Sequence, residues 1–276
     1  MVANFHSRFL MVDGLRTHYL EAGSGPTVVL LHSGEFGACA ELSWEFNIEA
    51  LARHFHVLAP DWLGFGQSAK VFSFEDMWLM RARHTRHFLD ALCIGKAHFI
   101  GNSMAGGVLL TIAAMAEPLF PIDRMIVVSG GGYAPENEFR KTLNTYDGTR
   151  EHMKRIVEAM FINPKIRADE AYIDRRFRLS QEPGAWQCTA AARFKSPWGG
   201  GKAQRRPDDY GAIKVPTLIV AGAQDTLREP GYPQALQKDV PGSELVVFPE
   251  AGHCAQIDEP EAFNRVAIEF LGRGRS

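Results

Sequence analysis

Hydrophobic and polar positions along the chain alternate between two regimes. Unbroken apolar, β-prone runs occur at 27–32, 56–60, 98–101, 125–129, 217–221 and 244–248. Such runs suit strands buried on both faces, as in a parallel sheet. Between them, residues 48–55, 74–93, 104–116 and 261–271 space their apolar side chains along one face of a helix. Near the start, two short β-prone runs flank Asp13-Gly14, a dipeptide that favours a tight hairpin. This alternation predicts an α/β fold: a mostly parallel, doubly wound sheet entered by an antiparallel hairpin. Residues 133–206 break the rhythm, with helical patterns and charged surfaces but no buried-strand run. They are read as a helical cap inserted into a core formed by 1–132 and 207–276, with functional loops.

The junctions between these elements carry the candidate chemistry. Ser103, in Gly101-Asn102-Ser103-Met104-Ala105, stands between a predicted strand and a helix rich in small residues. A nucleophile elbow needs that setting, a tight strand-to-helix turn whose small neighbours let the backbone close up. The usual Gly-x-Ser-x-Gly pattern ends here in Ala105; a plain serine helix cap is the alternative. A serine hydroxyl also needs a base, a group to orient that base, and donors for an oxyanion. His253 follows the last predicted strand, and Asp225 follows the strand before it. The order Ser103, Asp225, His253 is the one an α/β-hydrolase topology imposes, with all three at carboxyl ends of strands. The oxyanion donors are expected to be the amides of Met104 and Gly34, the latter in the loop Ser33-Gly34-Glu35-Phe36-Gly37. The remaining histidines read as surface or structural groups. His84 and His87 share a helical face but lack a metal-ligand set. The segment Pro60-Asp61-Trp62-Leu63-Gly64-Phe65-Gly66 reads as a structural turn lining the back of the site.

Composition narrows the partners. The 276 residues are 46% apolar and 22% charged, enough for a substantial core and too apolar for disorder. A net charge of −2 with scattered Lys and Arg leaves no footprint for nucleic acid or an anionic membrane surface. The short Gln204-Arg205-Arg206 cluster is read as a solvated loop. No run approaches the roughly 20 apolar residues of a membrane span, and the first eight residues lack a signal-peptide profile. Cys39, Cys93, Cys188 and Cys254 show neither Cys-x-x-Cys nor zinc-ligand spacing, which points to reduced thiols in a cytoplasmic protein. A small-molecule substrate is expected, and a homo-oligomer stays open.

Together these segments resemble the α/β-hydrolase family over essentially the whole chain. Within it, Gly101-Asn102-Ser103-Met104, Asp61-Trp62-Leu63-Gly64-Phe65-Gly66-Gln67-Ser68, Gly252-His253-Cys254-Ala255-Gln256 and Arg176-Phe177-Arg178 are similar to segments of the meta-cleavage product hydrolases. Those bacterial enzymes cut a carbon–carbon bond in 2-hydroxy-6-oxo-hexa-2,4-dienoates. The resemblance implies cofactor-independent catalysis, with attack by Ser103 or by a water activated in its place. It also implies that a cap arginine, Arg176 or the neighbouring Arg175, pairs with the substrate carboxylate, an ion pair inside the protein being the alternative. Asn102, Ser33 and Cys254 would face the substrate. Glu35 and Phe36 depart from the family's Gly-rich run, and Cys254 stands where Trp is frequent. A carboxylesterase or lactonase with the same triad, and a hydrolase-fold small-molecule binder, are the competing readings.

Overall fold

The turn at Asp13-Gly14 sets the entry to the sheet. Both residues adopt left-handed backbone, φ 51° and 75°, as a two-residue hairpin between right-twisted strands requires. On either side, β1 (His6–Val12) and β2 (Leu15–Ala22) pair antiparallel, beginning at Val12 opposite Leu15. The structure is a computed structural model that describes residues 5–74, 76–132, 134–191, 193 and 209–274. The other strands are β3 (Thr27–Leu31), β4 (His56–Pro60), β5 (Ala97–Asn102), β6 (Ile122–Val128), β7 (Thr217–Gly222) and β8 (Glu244–Phe248). Among the described residues they form one eight-stranded sheet in the order β1-β2-β4-β3-β5-β6-β7-β8. From β4 to β8 every pairing is parallel, and β2 meets β4 antiparallel. β6 starts at Ile122, earlier than expected, and its extension carries a register shift opposite Ala97 and Phe99.

In chain order the helices are α1 (Ala40–Trp44), α2 (Ile48–Ala52), α3 (Met77–Ala91), α4 (Met104–Ala113), α5 (Glu138–Asn144), α6 (Arg150–Met160), α7 (Pro164–Arg167), α8 (Glu170–Gln181), α9 (Ala185–Ala191), α10 (Tyr232–Asp239), α11 (Ala255–Asp258) and α12 (Pro260–Gly272). Alternate residues of the central strands feed two cores. Val29, Leu31, Phe99, Val127 and Ile219 pack with Phe88 of α3, Leu109 of α4 and Leu236 of α10. Val28, Leu30, Ile100, Val128 and Val220 pack with Trp44, Ile48, Phe263 and Phe270 of α1, α2 and α12. Burial on both faces is why these strands read as continuous apolar runs. Three helices had no sequence signal. α1 is capped by the weak acceptor Cys39 Sγ, α10 starts after Gly231 without a side-chain cap, and α11 spans only four residues.

α5 to α9 fall between β6 and β7, in the stretch without strand signals. Met153, Ile156 and Met160 of α6 and Tyr172 and Ile173 of α8 pack with Phe36, Cys39, Leu42, Cys254 and Ile257. The inserted helices therefore rest on the loops that follow β3 and β8. The Gln204-Arg205-Arg206 cluster, Tyr133 at the expected start of the insertion and the first four residues lie outside the described residues. No helix among those described is long and apolar enough to cross a membrane.

Candidate active site

Ser103 sits at the junction of β5 and α4 with φ 56° and ψ −110°. For a residue with a Cβ this backbone stores strain on the order of 1–3 kcal/mol, which persists only where the surroundings over-determine it. Here the Ser103 amide donates to the Val128 carbonyl at 2.7 Å, and the Gly107 amide donates to the Ser103 carbonyl at 3.1 Å. Close approach is demanded at two glycines. A Cβ on Gly101 would lie 2.8 Å from the Ala105 carbonyl carbon, and one on Gly106 would lie 2.9 Å from the Gly130 Cα. Ala105, in place of the usual glycine, is itself fully buried in the turn. The Ser103 hydroxyl makes no capping bond to α4. It meets His253 Nε2 at 2.8 Å instead.

His253 Nδ1 lies 2.8 Å from Asp225 Oδ2, and Asp225 Oδ1 accepts the Leu227 amide at 2.9 Å. Burial pushes the Asp225 carboxyl up. The charge and hydrogen bond of His253, the Leu227 amide and Arg228 outweigh burial and hold it below its ordinary value. An ionised Asp225 keeps the proton on Nδ1, which leaves the Nε2 lone pair facing the Ser103 hydroxyl. The His253 loop is held by its neighbours: its amide donates to the Met160 carbonyl at 3.1 Å, and the preceding Gly252 amide donates to Asp258 at 2.8 Å. Asp258 also accepts the Asn163 amide at 3.0 Å. Gly222, at the end of β7, lets this loop approach, because a Cβ there would collide with the Ala251 and Gly252 carbonyl oxygens. Gly222→Ala is therefore expected to lower stability by about 1–3 kcal/mol through overpacking. It should also lower kcat by moving Asp225 away from His253; thermal melts and steady-state turnover check both.

The oxyanion loop is fixed from behind. Trp62 donates its amide to His32 Nε2 at 3.0 Å, so the other ring nitrogen, Nδ1, carries the proton that meets the Ser33 carbonyl at 2.7 Å. Burial pushes the His32 pKa down against the pull of Asp61, which favours this neutral ring. Gly34 lies against the residue after the nucleophile, since a Cβ on it would stand 2.5 Å from Met104 Sδ. Asp61 organises the adjoining turn, accepting the Ala40 amide at 2.7 Å, the Gln67 amide at 2.8 Å and the His18 ring at 2.7 Å. A cavity of about 280 Å³ opens beside this network, lined in part by His18, Cys39, Asp61, Arg175 and Glu182, and no triad residue lines it.

The residues expected to face substrate are placed differently. Asn102 is fully buried; its Nδ2 donates to the Val128 and His253 carbonyls, both at 3.3 Å, and its Oδ1 accepts the Cys254 thiol at 3.6 Å. Its capacity is spent tying β5 to the His253 loop. Ser33 and Cys254 are each 1% exposed. Arg176 is also 1% exposed; it donates to Glu35 Oε1 at 2.5 Å and to the Tyr172 hydroxyl at 3.3 Å, while its Nε has no partner among the described residues. Arg175 is bound to Glu45 at 2.7 Å and Glu41 at 3.4 Å. The carboxylate that meets Arg176 is thus supplied from within, by the residue that replaces the family's glycine run. His84 and His87 diverge, His84 to Thr17 and His87 to Asp13. Sequence reasoning missed Asp258 and the reach of Asp61. The only signal for the latter was an acid at the carboxyl end of a strand.

A family model described as the alpha/beta hydrolase fold matches residues 26–260. The chain belongs to the α/β-hydrolase family. It is 32% identical over 268 residues to the 2-hydroxy-6-oxo-6-(2'-aminophenyl)hexa-2,4-dienoic acid hydrolase of Metapseudomonas resinovorans, covering 96% of this chain and 91% of that one. Identity is 29% over 272 residues to the 2-hydroxy-6-oxo-6-phenylhexa-2,4-dienoate hydrolase of Burkholderia cepacia, covering 95% and 93%. Among solved structures, this α/β hydrolase superposes with a TM-score of 0.82 and 30% identity on a serine hydrolase involved in carbazole degradation, over 97% of this chain and 99% of that one. A meta-cleavage product hydrolase from Pseudomonas fluorescens IP01 gives a TM-score of 0.85 at 26% identity, over 97% and 98%.

Proposed function

We propose that this hydrolase cleaves a carbon–carbon bond in a ring-cleavage product of the 2-hydroxy-6-oxo-hexa-2,4-dienoate type, with Ser103, His253 and Asp225 as its catalytic triad. The observation that carries the reading is the unbroken relay Asp225–His253–Ser103, both links 2.8 Å, in a chain whose relatives are named for that chemistry. His253 Nε2 first moves the enol proton of the substrate to C5, producing the keto form. It then takes the Ser103 proton as Oγ adds to the C6 carbonyl, and the amides of Gly34 and Met104 receive the oxyanion. When the tetrahedral centre collapses, the C5–C6 bond breaks and its electron pair leaves as a conjugated dienolate, protonated by His253. Water, deprotonated by the same ring, releases the acyl group from Ser103. The inserted helices, seated on the oxyanion and histidine loops, act as the cap over this site.

One observation favours a second reading. With Arg176 already paired to Glu35, the expected anchor for a substrate carboxylate is occupied, as suits a carboxylesterase or lactonase acting on uncharged esters. Steady-state kinetics on 2-hydroxy-6-oxo-6-phenylhexa-2,4-dienoate and on p-nitrophenyl esters separates the two. A higher kcat/KM on the dienoate is expected, and a higher value on uncharged esters overturns the carbon–carbon reading.

A further inference from the structure

Two other arginines flank the oxyanion loop, and neither has an ion pair to a carboxylate among the described residues. Arg81, on α3, is 4% exposed. Its Nε donates to the Leu63 carbonyl at 2.9 Å, and one terminal nitrogen donates to the Cys188 carbonyl at 3.5 Å. Among the described residues the other terminal nitrogen has only Met104 Sδ, at 3.8 Å. The guanidinium lies 4.6 Å from the centre of the Phe65 ring. Arg193, just past α9, donates to the carbonyls of Gly34 at 3.0 Å and Thr189 at 2.8 Å and to Asn144 Oδ1 at 3.3 Å, and it lies 5.0 Å from the centre of the Phe36 ring. Among the described residues, Arg81 is therefore held by carbonyls, a thioether and an aromatic face, and the partly exposed Arg193 by carbonyls, the Asn144 side-chain oxygen and an aromatic face. Arg81 meets Met104 and Arg193 meets Gly34, the two expected oxyanion donors.

Buried charges normally have a counterion, because carbonyls and ring faces only partly replace lost hydration. Here Arg193 repels Arg81, and the anion that Arg193 feels, Glu35, is already bonded to Arg176. Burial and the neighbouring Arg193 push Arg81 down to about 9. Burial also pushes Arg193 down to about 10, with Glu35 opposing the shift and Arg140 adding to it. Arg176 shows the contrasting case, in which Glu35 supplies the missing anion.

We propose that Arg81 and Arg193, rather than Arg176, receive the carboxylate of the substrate. The assignment rests on the carbon–carbon hydrolase reading, which makes the substrate an acid. In a 6-oxo-dienoate the carboxylate stands five carbon–carbon bonds from the carbonyl that meets Ser103. A substrate lying along the Met104 side chain would bring one end to the oxyanion amides and the other to the Arg81 nitrogen that has only sulfur for a partner. Arg193 closes the clamp from the Gly34 side, and planar guanidinium forks suit bidentate capture of a carboxylate.

The test measures kcat/KM of the parent, Arg193→Gln, Arg81→Lys and Arg81→Gln on three probes. These are 2-hydroxy-6-oxo-6-phenylhexa-2,4-dienoate, the mono-p-nitrophenyl ester of adipate, which keeps the same five-bond spacing, and the uncharged p-nitrophenyl hexanoate of the same chain length. In Arg193→Gln the adipate-to-hexanoate ratio is expected to fall roughly 10- to 100-fold, as for loss of a charge-assisted hydrogen bond. The dienoate KM should rise by a similar factor, more than kcat falls. Arg81→Lys keeps the charge but not the fork and should fall between parent and Arg81→Gln; it also serves if Arg81→Gln does not fold. A purely structural role would lower turnover of both esters alike, and a ratio within about 3-fold of the parent in both Arg193→Gln and Arg81→Lys overturns the proposal. If the parent fails to cleave the dienoate, the proposed reaction falls, and the ester ratio still decides the anion site.

Discussion

Replacing Ser103 with alanine is expected to abolish turnover, lowering kcat by about 10⁴-fold or more while the fold persists. The hydroxyl is bonded directly to His253 Nε2 at 2.8 Å, with Asp225 behind the ring. Removing it deletes the nucleophile and leaves the oxyanion donors in place. Ser103 is only half-buried, and its strained backbone is held by main-chain bonds that alanine also makes. Stability should therefore change by less than about 1 kcal/mol. Asp225→Asn forms a separate test of the relay. An amide in place of the carboxylate favours the wrong histidine tautomer, with an expected loss on the order of 10⁴-fold in kcat. The same variants choose between the two routes of attack. If water replaced Ser103 as the attacking group, Ser103→Ala would keep a substantial part of its carbon–carbon cleavage while Asp225→Asn lost it. Rapid-quench or absorbance assays on the dienoate, alongside thermal melts, read both outcomes.

What the chain disclosed in advance follows from the range of the interactions involved. Ser103, Asp225 and His253 were legible because each follows a strand that reads as a continuous apolar run, and the topology orders them. The hairpin at Asp13-Gly14 was legible because two residues decide its backbone. The roles of neighbours were not, because they depend on where a side chain points after the sheet has formed. Asn102 reads as a polar group beside the nucleophile, yet as the last residue of β5 it turns inward to the Val128 and His253 carbonyls. Asp258 carries no local signature, while the fold brings the amides of Gly252, Ile162 and Asn163 onto it. Glu35 and Arg176 are 141 positions apart, and no local pattern couples them. Departures at Glu35 and Cys254 were visible as letters, but only packing shows that one binds the arginine and the other the asparagine.

The Glu35–Arg176 pair carries the second large effect, on stability rather than turnover. Both side chains are nearly without solvent contact, at 4% and 1% exposure, and Arg176 also reaches the Tyr172 hydroxyl and the Phe36 carbonyl. Taking away one member of such a pair typically costs about 3–5 kcal/mol, because the other is left charged and dry. In a chain of 276 residues that lowers Tm by roughly 5–9 °C. Arg176→Met should show this loss, and Glu35→Leu combined with Arg176→Met should recover most of it, since two apolar groups leave no orphaned charge. The dependence on pH gives a sharper signature. In the parent, burial pushes the Glu35 carboxyl up, but the charge and hydrogen bonds of Arg176 overcome this and hold it below the ordinary 4.5. Its contribution is therefore full above about pH 4.5 and is lost as the pH falls through the lowered folded value. In Arg176→Met burial is opposed only by the hydrogen bonds of Ser33 and the Glu35 backbone and by the charge of Arg193, so the folded carboxyl is expected to move up, above its unfolded value. The sign then reverses, and the variant loses stability as pH rises through that raised value. Melting curves from pH 4 to 8 should show the gap between parent and Arg176→Met widening with pH. If Arg176 instead faced an open anion site, its removal would raise KM for acidic substrates and leave Tm nearly level, and the assignment of the carboxylate to Arg81 and Arg193 would fall with it.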